Sequence, residues 1–75
     1  MSSPGNQPLL LTLQERRALE LSATGLVVAD VADAMGVPAQ VVRAWLASAI
    51  SKLGARSKLE AVFIAATRGE IDLSP

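Results

Sequence analysis

The chain has no cysteine and no histidine among its 75 residues. Disulfides, thiolate and imidazole catalysis and the usual zinc sites are therefore excluded, and no metal is expected. Aromatic side chains are reduced to Trp45 and Phe63. With so few aromatics and so many alanines and valines, a compact helical bundle is favoured over a β-sandwich. There is no net charge, because seven acidic side chains balance seven basic ones. The longest apolar run is too short to cross a bilayer. The opening MSSPGNQP has neither a positive nor an apolar signal-peptide region, so a cytoplasmic location is expected. No glycine-rich phosphate loop is present, and the scattered carboxylates suit capping and surface charge. No catalytic residue and no cofactor are expected.

What is present is concentrated between Gly36 and Glu60, GVPAQVVRAWLASAISKLGARSKLE. A Gly-Val-Pro turn opens a long amphipathic segment and Gly54 closes it. Arg43, Lys52, Arg56 and Lys58 lie between Asp33 and Glu60 with no acid among them, so positive charge is gathered in one place. At this size folding hides only about 60% of the unfolded chain's surface, so a partner or a second copy would add stability.

The local signals predict an all-α domain of four helices, at about 13–23, 28–35, 38–53 and 58–68, within a domain spanning 11–73. Residues 1–10 are expected to be a flexible tail. Thr12-Leu-Gln-Glu15 and Ser57-Lys-Leu-Glu60 read as two capping boxes. Gly25, Gly36, Gly54 and Gly69 stand at helix ends, and Pro38 suits a first turn. Val31, Met35, Val37 and Val42 are expected to point inward around the turn. Helix 3 carries Val42, Trp45, Leu46, Ala49 and Leu53 on one apolar face. For helix 4 the inward stripe is expected to be Leu59, Val62, Phe63 and Ala66, leaving Ala61, Ile64, Ala65 and Arg68 outward.

Leu11-Thr12, Glu15-Arg16, Leu19, Gly25-Leu26, Ala32, Gly36, Val42, Lys52-Leu53-Gly54 and Glu60-Ala61-Val62 form a set. This set resembles the LuxR-type helix-turn-helix, also called the NarL/FixJ or GerE type, without a gap from Leu11 to about Asp72. The resemblance implies a four-helix domain in which helix 3 reads the major groove of double-stranded DNA and helix 4 pairs two copies. Such domains usually follow a sensor or receiver domain; here the domain is expected to stand alone.

With Val42 inward, helix 3 turns Gln40, Arg43, Ala44, Ala47, Ser48 and Ser51 outward. Arg43 matches the family's basic position and has the chemistry to fork onto a guanine edge or clamp a phosphate. Gln40 suits adenine, Ala44 and Ala47 complete the face, and Lys52, Arg56 and Lys58 suit phosphates. A homodimer would use Ala61, Ile64, Ala65 and Arg68 and present two recognition helices about one DNA turn apart. A second reading belongs to another class. Helix 2 opens with Val27-Val28-Ala29-Asp30, where the family often has a polar run, and helix 3 carries short alanines. A helix-turn-helix of this kind would act by binding another transcription regulator or RNA polymerase, as an antiactivator does. Val27 and Val28 either tuck into the domain or form an exposed apolar patch for that partner.

Overall fold

The computed structural model describes residues 8–73. Its four helices are α1 (Leu13–Ala23), α2 (Val28–Met35), α3 (Ala39–Lys52) and α4 (Lys58–Thr67), and the described residues contain no strand. Thr12 starts α1 as a full capping box. Its hydroxyl accepts from the Glu15 N–H at 3.1 Å, and the Thr12 N–H donates to the Glu15 carboxylate at 2.8 Å.

The turn between α2 and α3 is made by residues 36–38. Gly36 takes up φ 70°, a left-handed conformation that a side chain would strain. There the Val37 N–H reaches back to the Ala32 carbonyl at 3.1 Å and the Gly36 N–H to Asp33 at 3.3 Å. This pair of bonds closes α2 and leaves the chain pointing toward α3. Pro38 stands at the N-cap, one residue before α3 begins, and its carbonyl accepts from the Val41 and Val42 N–H groups at 3.0 and 3.4 Å. The same back-bonding pattern ends α3 and α4, through Ala55 to Ile50 and Glu70 to Ala65.

The second capping box forms only in part. Ser57 accepts from the Glu60 N–H at 3.1 Å, but the Glu60 carboxylate turns to the Arg56 N–H at 2.7 Å. The loop before α4 thereby gains a fixed donor–acceptor pair.

The core joins Leu19, Val31 and Val42, all fully buried, to Leu11, Leu46 and Ile71 and to five alanines, Ala18, Ala32, Ala49, Ala61 and Ala65. Met35, Val37, Trp45 and Leu53 pack around it, half-buried. So many alanines let helix backbones approach closely, which is how a domain with almost no aromatic bulk still excludes water. Their consequence is largest in α4, where the expected facing holds for Val62 and Ala66, which pack against the core, but not for Leu59 and Phe63. Ala61 and Ala65 are 0% exposed, whereas Leu59 and Phe63 are 80% and 67% exposed. Val62, Ile64 and Ala66 lie half-buried along the flanks. Helix α4 is apolar nearly all round, so periodicity alone cannot choose its inner face. Close approach to α1 selects the small residues instead.

Residues 8–10, expected to belong to a flexible tail, are tied down. The buried Glu70 carboxylate accepts from the Leu10 and Leu11 N–H groups at 3.0 Å each and from Arg68 Nε at 2.8 Å. Arg68 Nη2 also donates to the Pro8 carbonyl at 3.0 Å. Burial raises the Glu70 pKa, but Arg68 and the two N–H donors outweigh it and hold the group below the usual carboxylate range. The remaining tail positions, 1–7, lie outside the described residues.

The facing of α4 yields a direct check. Ala65→Leu is expected to overpack the α1–α4 contact and cost about 1–3 kcal/mol. Leu59→Ala should stay within about 0.5 kcal/mol in dilute protein. Urea denaturation of both variants measures the contrast, and equal costs would refute the assigned facing.

Candidate nucleic-acid interface

Helix α3 lies across α1 and α2, buries Val42, Leu46 and Ala49, and leaves its opposite side to solvent. Gln40, Arg43, Ala44, Ala47 and Ser51 are exposed on that side. Among the described residues, the Gln40 and Arg43 side chains have no hydrogen bond or ion pair, so both are free to meet a ligand. Arg56 and Lys58, in the loop and at the start of α4, are exposed as well, and neither side chain is in an ion pair.

Lys52 and Ser48 both meet α1. Lys52 Nζ donates to Glu15 Oε1 at 2.8 Å, and Ser48, half-buried, hydrogen-bonds the same carboxylate. Lys52 thus helps to hold α3 on α1, with its side chain still 39% exposed. Glu15 is nearly buried, its side chain 6% exposed. Burial raises its pKa, but the hydrogen bonds from Lys52, Ser48 and the Thr12 N–H, with the Lys52 charge, outweigh burial and lower it to about 2. The sequence signal for Glu15 was its capping box; its bond to Lys52, 37 residues away, leaves no local trace.

The expected dimer residues are also redistributed. Ala61 and Ala65 are sealed in the core, Ile64 is half-buried, and Arg68 is engaged with Glu70 and Pro8. None of these four offers the open apolar face first assigned to them. That face is formed instead by Leu59, Val62, Phe63 and Leu73, which line an open groove of about 550 Å³ with Ser57 and Glu60. Sequence reasoning missed it because large apolar side chains were assigned inward.

At the start of α2 the two valines part company. Val28 packs against the core, while Val27 is 62% exposed at an N-cap with no side-chain hydrogen bond. Asp30 occupies the first turn of α2. No helix among the described residues is long and apolar enough to cross a membrane.

A helix-turn-helix with a free arginine on its outer helix is the arrangement by which proteins enter the DNA major groove. The profile of the bacterial regulatory proteins of the luxR family matches residues 9–65, well over half of the chain. The chain belongs to this family. Its fold is similar to a solved structure of the transcription factor GerE, with 25% identity and a TM-score of 0.84. That match covers 89% of this chain and 100% of the other. No curated protein matches the chain by sequence. The luxR-family helix-turn-helix makes this a DNA-binding transcription-regulator domain.

The Glu15 network has a pH signature. Its folded pKa lies below the ordinary 4.5, so its contribution to stability is complete above about 4.5 and is lost as pH falls toward about 2. Thermal unfolding followed across this window is expected to show a falling midpoint. In Glu15→Gln the midpoint is already lower at neutral pH and the acid slope is shallower, the residue of that slope coming largely from Glu70. An unchanged slope in Glu15→Gln would remove Glu15 from this role.

Proposed function

We propose that this luxR-family domain regulates transcription as a homodimer that sets one α3 in the major groove of each half-site. Arg43 and Gln40 face base edges, and Arg56 and Lys58 contact phosphates. The observation that carries this reading is the free Arg43 guanidinium on the exposed side of α3, in a fold where Lys52 and Ser48 of the same helix are turned to Glu15.

Charge and number both favour pairing. The chain is neutral overall, so the non-specific electrostatic attraction that usually dominates DNA affinity is small. One α3 offers two long polar readers, too few to define a site. A second copy doubles both the readers and the phosphate contacts. The apolar groove of Leu59, Val62, Phe63 and Leu73 supports a second copy docking there, since isologous pairing needs a self-complementary face. The proposed interface thus replaces Ala61, Ala65 and Arg68 by the large side chains on the other side of α4.

Fluorescence anisotropy of a mixed-sequence duplex at low salt tests the DNA contact. Saturable, salt-sensitive binding is expected, with Arg43→Glu abolishing it. Lys58→Ala should weaken all sequences alike and lower the salt slope by about 1. Absence of binding at low salt would refute direct recognition by this domain and turn attention to Val27 as part of a protein-docking patch.

Sedimentation equilibrium tests the dimer separately. Phe63→Asp is expected to leave a folded monomer whose DNA affinity falls at least tenfold. A wild-type protein that stays monomeric at high concentration, alone and on DNA, would refute pairing through α4.

A further inference from the structure

The first four side chains that α3 exposes run in the order Gln40, Arg43, Ala44, Ala47, following helical spacing along one side. At about 1.5 Å rise per residue, Gln40 and Ala47 stand about 10 Å apart along the helix axis, or about three base-pair steps. Two of these four side chains are long and polar. The other two end at a single methyl group, which neither donates nor accepts a hydrogen bond. Short side chains also remove the steric bar to close approach, so the middle of α3 can sit nearer to the base edges than a helix lined with lysines. In the major groove, the apolar group that base edges present is the C5-methyl of thymine.

Polar readout from the rest of α3 is limited. Ser48 and Lys52 are drawn to Glu15, leaving Ser51 as the remaining exposed polar side chain after Arg43 that is not held by α1. Beyond Gln40, Arg43 and the short Ser51 hydroxyl, the exposed groups that α3 offers for discrimination are the methyl groups. We infer that Ala44 and Ala47 are specificity residues that read thymine methyl groups, so that each half-site is a guanine bordered by A·T pairs. Gln40 fits the same composition, because its amide pairs with the adenine edge. This inference rests on the proposed DNA binding and adds the kind of sequence that is bound.

The test begins with a pool of random-sequence duplexes, from which the full-length protein selects binders at low salt. The recovered duplex is then remade with deoxyuridine in place of thymidine, either inside the half-site or only in the flanks. Burial of one methyl corresponds to about a fourfold change in affinity. Binding is expected to weaken about fourfold for each half-site methyl removed and to be unchanged by substitution in the flanks. In the double variant Ala44→Ser, Ala47→Ser, the thymine and uracil duplexes should bind alike. Both positions are exposed, and retained helical circular dichroism would show that the fold is intact.

Two other results would each overturn the inference, and they are distinguishable. If the uracil half-site binds as tightly as the thymine one while Arg43→Glu still abolishes binding, DNA recognition stands and methyl reading falls. If the protein retains no duplex from the pool, DNA recognition itself fails and takes the inference with it.

Discussion

One carboxylate sets the geometry on which the outer surface depends. Glu15 closes the first turn of α1 through the Thr12 N–H and receives Lys52 and Ser48 from the far half of α3. A buried carboxylate must be surrounded by donors, because an unpaired charge away from water is very costly. The donors come from two helices, so satisfying the charge also fixes how α3 rotates on α1. That rotation decides which α3 residues face outward: it places Val42, Leu46 and Ala49 beneath the helix and Gln40, Arg43, Ala44 and Ala47 above it.

Glu70 repeats the device one residue before the Glu15 capping box. It gathers two backbone N–H groups from the N-terminal approach and the Arg68 guanidinium from the end of α4. The two charged clusters meet at the start of α1, where Glu70 takes the Leu11 N–H and Glu15 the Thr12 N–H, beside a core assembled mostly from small aliphatic side chains. In a domain this small, where hydrophobic burial is limited, such clusters supply the orientation that bulk would supply elsewhere. Exposed apolar surface is correspondingly large on α4, because alanines rather than leucines were spent on the interior.

Much of the fold was legible along the chain. Capping residues and helix-ending glycines are local devices acting over three to six residues, so the four helices and the turn at Gly36 could be placed nearly to the residue. The outer side of α3 was legible too, since Val42 and Leu46 mark an unambiguous inner stripe. Helix α4 offered no such contrast: Leu59, Ala61, Val62, Phe63, Ile64, Ala65 and Ala66 leave no polar side to point outward. Size then suggested burying Leu59 and Phe63, whereas close packing buried Ala61 and Ala65.

The chain by itself determined the helices, their ends, the recognition turn and the residues available on α3, because each depends on neighbours within a turn or two. Only the tertiary structure decided the roles of Glu15, Lys52, Arg68 and Glu70 and the facing of α4. Those outcomes depend on pairings across 37 to 60 residues and on how closely two helix backbones can approach. Neither quantity is written in any local pattern of side chains.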